Sequence, residues 1–337
     1  MAEPTQPLAV AVTGPTGTFG FGLIPRLERD ERIGRIVGIA RRPFDPTEHG
    51  WSKLDYRRGD VRDQEALAEA FAGSDVVVHL AFIIVARAPR DEIRAINVEG
   101  TLNAVRAAAA AGAKRFVYAS SVAAYGFHRD NPVGMTEEWP ARPADHLFYA
   151  QEKAEIEQAL TEEIAAAGLD LYLLRPPVVL GPHALGAKDL IPDRIRGVGA
   201  SALRRLRRGP VRIPVPVPDL PVQFIHEDDV GQAFHLCIVG AGPPGTYNIA
   251  GDGVLSARDV ARELGLLPVP MPAGPVKAGA RALASLPFAP PALEWAEAIS
   301  RPAIMDTTKA KEELGWLPEY DGLAALRATL PTDQSRS

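Results

Sequence analysis

Leu8-Ala-Val-Ala-Val-Thr13-Gly14-Pro15-Thr16-Gly17-Thr18-Phe19-Gly20 is the stretch on which the fold turns. Leu8–Thr13 is an apolar run of strand length, and Phe19–Asp30 after it reads as a helix. A continuous apolar run, rather than an alternating one, predicts a strand buried on both faces. Between the two, Gly14, Gly17 and Gly20 permit a tight turn and let backbone N–H groups approach a pyrophosphate at a helix N-terminus. Gly14, Thr16, Gly17, Thr18, Phe19 and Gly20 are therefore expected to hold a dinucleotide. The spacing is G-x-x-G-x-x-G instead of G-x-G-x-x-G, so the strand–turn–helix context carries the reading.

The same alternation continues outward. Ile36–Ala40, Val76–Leu80, Arg115–Ser120 and Leu169–Arg175 read as strands, with helices expected at Asp63–Ala72, Asp91–Ala111 and Tyr149–Ala167. Such alternation predicts an α/β fold with a doubly wound parallel sheet. After Pro176 the texture changes. Val222–His226 and Thr246–Ala250 are strand candidates, Pro192–Arg208 is helix-like, and Leu266–Pro291 is assigned little regular structure.

Composition narrows the function. The chain has 337 residues, 46% hydrophobic and 23% charged, enough for about two soluble globular domains. Its one cysteine, Cys237, excludes an intrachain disulfide or a Cys-rich zinc site, and no metal is expected. A net charge of −5 argues against nucleic acid as the main partner. The basic run Arg204-Arg205-Leu206-Arg207-Arg208, with Arg194 and Arg196 upstream, reads as a solvated helix face or a phosphate contact, and no aromatic residues interleave with it. The N-terminus has no cationic flank before a long apolar stretch, and Val76–Ala86 is too short to span a bilayer, so a cytoplasmic location is expected.

Four further motifs carry chemistry. Where a carboxylate would grip the ribose of NAD, this chain has Arg41-Arg42, suited to the 2′-phosphate of NADP. Asp60 and Val61 follow a strand-like stretch and read either as an adenine contact or as the start of a helix that Asp63 caps. Ser120-Ser121 lies just past a strand end, in the crevice where parallel sheets bind ligands. Tyr149-Ala-Gln-Glu-Lys153 puts a phenol and an ammonium on one helix face. The nearby charge is expected to lower the Tyr149 pKa, as a proton donor or acceptor for a carbonyl/alcohol pair needs.

Together these motifs resemble the extended short-chain dehydrogenase/reductases, the NAD-dependent epimerase/dehydratase family. The likeness includes HLAF at His79–Phe82, INVEGT at Ile96–Thr101, YASSVAAYG at Tyr118–Gly126, LRPPVVLGP at Leu174–Pro182, FIHEDDV at Phe224–Val230 and KEELGWLP at Lys311–Pro318. It implies a Rossmann sheet (residues 1–178 and 222–251), an interleaved smaller substrate-binding α/β region (179–221 and 252–332) and a disordered tail (333–337). It also implies Ser121, Tyr149 and Lys153 as the catalytic set, with Tyr149 as acid/base and Lys153 as its partner and a ribose contact. Leu80, Ala81, Phe82, Ala119, Pro176 and Val178 would lie along the cofactor, and Asn97 beside the site. His226 and Asp228 are expected to make structural hydrogen bonds, and a homodimer through the two long helices is a family expectation.

The departures from the family pattern narrow the chemistry. Val122-Ala123 follows Ser121 where dehydratases carry an acidic pair. Pro221-Val222-Gln223 and Pro177-Val178-Val179 stand where epimerases place an Arg and an Asn facing a diphosphate. Phe82-Ile-Ile-Val-Ala86, near the expected substrate mouth, is apolar. The expectation is an oxidoreductase on an apolar carbonyl compound, with NADP preferred and NAD an option. A nucleotide-sugar 4-epimerase is the alternative reading, and a non-catalytic NADP-binding regulatory protein the reading from another class.

Overall fold

The computed structural model describes residues 6–84, 88–144, 147–184, 212–218, 220–271 and 301–330. Its centre is a seven-stranded, all-parallel sheet. The strands are β1 (Leu8–Thr13), β2 (Ile33–Ala40), β3 (Leu54–Arg58), β4 (Val76–His79), β5 (Arg115–Ala119), β6 (Asp170–Arg175) and β11 (Gly245–Asn248). They lie in the order β11-β6-β5-β4-β1-β2-β3, so the chain between Arg175 and Gly245 leaves this sheet and returns to its edge.

Helices cover both faces, and the pleat of β1 shows why. Val10 and Val12 join one core with Leu23, Leu27, Val230 and Phe234, which come from α1 (Thr18–Arg29) and α6 (Glu227–Val239). Ala11 points the other way, into a core with Leu67, Val105 and Ile156 from α2 (Gln64–Phe71), α4 (Gly100–Ala110) and α5 (Phe148–Ala167). The doubly wound α/β expectation therefore holds. The long helix expected at Asp91–Ala111 is α3 (Arg90–Arg94) running into α4 through a π-helical turn at Ala95–Glu99. Asp63 caps α2, accepting from Glu65 N and Ala66 N.

α1 and α6 meet through glycines. A Cβ on Gly231 would lie 2.1 Å from the Gly22 carbonyl oxygen, and one on Gly22 would lie 2.0 Å from that of Glu227. Gly231→Ala should therefore cost about 1–3 kcal/mol by forcing the helices apart. An unchanged denaturant midpoint would show instead that the pair slides without penalty.

Among the described residues, three two-stranded sheets lie outside the central one: β7 (Val178–Leu180) beside β10 (Phe224–His226), β9 (Pro221–Val222) beside β12 (Leu255–Ser256), and β8 (Pro214–Val217) beside β13 (Leu267–Pro270). The last corrects the expectation of little regular structure at Leu267–Pro270; residues 272–291 of that segment lie outside the described residues. Pro268 and Pro270 do not break the strand, because the ladder is fed by the N–H groups of Leu267, to Ile213 O, and Met271, to Val217 O. Pro192–Arg208, with the basic run, lies outside the described residues, as do Val85, Ala86 and the 333–337 tail.

The two C-terminal motifs form one clamp. Asp229 accepts from Glu319 N (2.7 Å) and Tyr320 N (3.1 Å), and its carbonyl accepts from Trp316 Nε1 (3.0 Å). Burial pushes the Asp229 carboxyl up to about 6 against those bonds. His226 accepts from Asp228 N and stacks on Tyr320, the structural role expected of it. Cys237 is a fully buried packing residue of α6.

Candidate active site

The C-terminal ends of β1, β4, β5 and β6 converge where an open parallel sheet offers its crevice. At the end of β1, Gly14 has φ +70, and a Cβ there would lie 2.9 Å from Ala81 N. At Gly20 a Cβ would lie 2.0 Å from the Pro15 carbonyl oxygen. Thr16 stands in this turn, and Gly17 is the N-cap of α1 with no side-chain cap. The first turn of α1 carries no acidic residue. A close-approach turn leading into such a helix end fits a pyrophosphate. Phe19 turns its ring to Phe234 (6.1 Å between centroids).

The loop after β4 is tied to this turn. Leu80 N donates to Thr13 O (3.1 Å) and Ala81 N to Thr13 Oγ1 (3.2 Å). Thr13 Oγ1 also bonds His79 Nδ1 (2.8 Å), whose Nε2 meets Thr101 Oγ1 (3.0 Å). Burial, with the Lys153 charge nearby, pulls His79 down to about 3, so the imidazole is a neutral strut.

Three side chains meet beyond β5. Ser121 is buried and accepts from Ala123 N (3.1 Å). Half-buried Tyr149 on α5 lies close enough that this hydroxyl draws the phenol's pKa down. Lys153, one turn on, donates to Ala119 O (2.6 Å) and Tyr118 Oη (3.0 Å). Its Nζ lies 3.6 Å from the centre of the Phe82 ring, a cation–π contact, and 5.9 Å from that of Tyr149. Phe82 meets Tyr149 edge-on at 5.5 Å.

One expectation fails here. Tyr149 is not acidified: burial pushes its pKa up to about 12, and only the Ser121 hydroxyl opposes this. The Lys153 ammonium is aimed at Ala119, Tyr118 and Phe82 instead of at the phenol. Burial also pulls Lys153 itself down to about 7, against the opposing pull of Glu157 and Glu152.

Other expected cofactor residues divide. Arg41 and Arg42 are exposed beyond β2, with carbonyls accepting from Arg58 Nε and the Tyr56 hydroxyl respectively. Asp60 is taken up by Arg62 (2.8 Å), which holds its carboxyl below the ordinary range, and Val61 packs against Gly100. Asn97 is committed too: Oδ1 accepts from Ile83 N, and Nδ2 donates to Ile83 O and Glu152 Oε2. Its side chain therefore holds the loop. Pro176 is buried beside Ser121, its carbonyl accepting from Val122 N (3.0 Å), while Val178 is 51% exposed.

Sequence reading missed the groups beneath the site. Glu157 Oε1 accepts from Arg175 Nε (2.9 Å) and from the Ser120 hydroxyl, and Oε2 from Arg175 Nη2. Arg175 stacks on Tyr125, whose hydroxyl donates to Asn248 Oδ1 (2.8 Å). The one available signal was a helix carrying Glu one turn beyond Lys153, and an Arg ending an otherwise apolar strand. His183, without ligand spacing in the sequence, bonds Glu227 (2.7 Å) and stacks on Phe21. No cluster of three metal-ligating side chains exists among the described residues. Nor, among them, is any helix long and apolar enough to cross a membrane.

Comparison with known proteins identifies the family and the fold. Uncharacterized protein y4nG of Sinorhizobium fredii is 30% identical over 328 residues, covering 92% of this chain and 74% of the relative. Sterol demethylase protein B of Methylococcus capsulatus is 31% identical over 179 residues, 52% of each chain. The solved structure of Thermus thermophilus UDP-glucose 4-epimerase in complex with NAD superposes with a TM-score of 0.68 at 23% identity, over 96% of this chain and 98% of that one. The profile of the NAD dependent epimerase/dehydratase family matches residues 10–250, and the chain belongs to that family of nicotinamide-dinucleotide-binding proteins.

Proposed function

We propose that this chain is an NADP-preferring oxidoreductase acting on an apolar carbonyl or alcohol. The observation that carries the reading is the meeting of Ser121, Tyr149 and Lys153 beside the Gly14–Gly20 turn. When bound, the nicotinamide supplies or accepts the hydride. In the reducing direction Tyr149 Oη donates its proton to the substrate oxygen, while Ser121 Oγ hydrogen-bonds the same oxygen. Lys153, held by Ala119 O, Tyr118 Oη and the Phe82 ring, keeps a positive group beside Tyr149, and in this reading it turns one donor from the Phe82 ring to the ribose when the cofactor binds. Leu80, Ala81 and the Ala119 carbonyl line the same edge. In this reading residues 1–178 and 222–251 carry the dinucleotide, and 179–221 with 252–332 the substrate.

Two features support an apolar substrate. Phe82, Ile83 and Ile84 lead away from Tyr149, and Ile84 is 50% exposed. The similarity to a sterol demethylase protein points the same way. A panel of aromatic and alicyclic ketones, followed by NADPH absorbance, tests the reading. Interconversion of UDP-glucose and UDP-galactose without net NADPH consumption would favour the epimerase instead. NADPH binding with neither activity would favour a regulator.

The NADP preference rests on Arg41 and Arg42, whose exposed side chains follow β2. Exchanging them for Asp and Asn removes two charge-assisted contacts to a 2′-phosphate, so the NADP/NAD affinity ratio should fall by about tenfold or more. An unchanged ratio would remove the basis for the preference.

A further inference from the structure

Glu152 is a buried carboxyl that the mechanism above does not use. It is 2% exposed and sits between Tyr149 and Lys153 in sequence on α5. Oε2 accepts from Asn97 Nδ2 at 2.7 Å, while Oε1 is buried with no hydrogen-bond partner. Burying a carboxyl with an oxygen unsatisfied is costly, and the next residue, Lys153, is itself a buried ionisable group. Packing alone does not account for such a choice, since an apolar side chain would fill the same space without that penalty.

The contacts of Asn97 show what the carboxyl holds. Asn97 lies in the π-helical turn between α3 and α4, a distortion that re-aims side chains within a helix. Its amide spans the backbone of Ile83, accepting from Ile83 N at 2.8 Å and donating to Ile83 O at 2.9 Å. An amide left to itself can rotate or exchange its oxygen and nitrogen. A carboxyl facing Nδ2 permits only the orientation in which Oδ1 faces Ile83 N. Ile83 follows Phe82, whose ring lies over Lys153 Nζ and edge-on to Tyr149. Two successive residues of α5 thus grip one loop, Glu152 through Asn97 and Lys153 through the Phe82 ring.

The geometry points to Glu152 as a positioning residue of the active site: through Asn97 it locks Ile83, and so sets where Phe82 stands against Lys153 and Tyr149. This rests on the reading of Tyr149 and Lys153 given above. It goes beyond that reading in assigning the placement of the Leu80–Phe82 cofactor edge to a carboxyl that touches neither cofactor nor substrate.

The test compares the full-length protein with Glu152→Ala, Glu152→Gln and Asn97→Ala, and with the double variant Glu152→Ala/Asn97→Ala. Two quantities are read: the hydrogen-exchange rate of the Ile83 amide and the affinity for NADPH. Glu152→Ala should speed exchange at Ile83 by about tenfold, the effect of loosening one buried hydrogen bond, and weaken NADPH by about threefold to tenfold as the cofactor edge loses its order. Glu152→Gln still presents an oxygen to Asn97 and should restore both values to near wild type. Asn97→Ala should weaken NADPH similarly, and the double variant should be no weaker than the worse single one, the signature of two residues acting in series. Wild-type exchange at Ile83 in Glu152→Ala would overturn the proposal, as would additive losses in the double variant. Should Glu152→Ala not fold, Asn97→Ala and Glu152→Gln still decide it: Gln behaving as poorly as Asn97→Ala overturns it, and Gln matching wild type supports it. A wild-type protein that binds neither NADPH nor NADH would defeat the cofactor reading itself, while the Ile83 exchange rates would still report on the clamp.

Discussion

Tyr149→Phe should lower carbonyl turnover by about a hundredfold to ten-thousandfold, the range for removing a positioned acid/base group. NADPH affinity should stay close to wild type, because the phenylalanine ring keeps its edge-on contact with Phe82. The lost atom is the phenol oxygen, whose ionisation the nearby Ser121 hydroxyl favours. With its pKa pushed up to about 12, Tyr149 holds its proton throughout the neutral range and stands ready to donate it to a carbonyl oxygen. Alcohol oxidation, which needs the phenol to accept a proton, should strengthen as pH rises. Turnover by Tyr149→Phe within about tenfold of wild type would remove Tyr149 from the chemistry.

Glu157→Ala should cost about 3–5 kcal/mol of folding stability, read as a fall in the denaturant midpoint. Glu157 and Arg175 are 6% and 7% exposed at their side chains, and Glu157 takes two nitrogens of the guanidinium. Arg175 Nη1 is already buried without a partner, so truncating Glu157 would strand the whole charge against the Tyr125 ring. The Ser120 hydroxyl loses its acceptor in the same step, next to Ser121. Glu157→Gln keeps an acceptor and should cost clearly less. Replacing both partners by Met and Leu should also cost less than Glu157→Ala, since no charge is then left unpaired. A folding free energy for Glu157→Ala within about 1 kcal/mol of wild type would mean that water reaches Arg175 and relieves it.

Much of this arrangement was legible as sequence pattern because it is local. The Leu8–Thr13 strand, the glycines after it and the Tyr149–Lys153 spacing each lie within one turn or one element. Asp63 announced its helix for the same reason. Long-range contacts were not legible. Glu152 meets Asn97 across 55 residues, and Ser120 meets Glu157 across 37, with nothing in the spacing to pair them. The strand at Leu267–Pro270 was missed because its prolines argue against a ladder, and only its pairing with Pro214–Val217 shows that the needed N–H groups are the others.

The charge on Lys153 marks where local pattern stops and tertiary structure takes over. Helical periodicity alone places Tyr149 and Lys153 on one face of α5, since residues four apart are neighbours whatever surrounds them. Where a flexible four-carbon stem aims its ammonium is decided by partners from elsewhere: Ala119 and Tyr118 on β5, and Phe82 after β4. Burial beneath those partners then outweighs proximity, pulling Lys153 down and pushing Tyr149 up, opposite to the shift the i, i+4 pair predicts for the phenol. Order and spacing along the chain set which groups can meet. The low-dielectric surroundings that set their protonation exist only once distant strands and helices have closed around them.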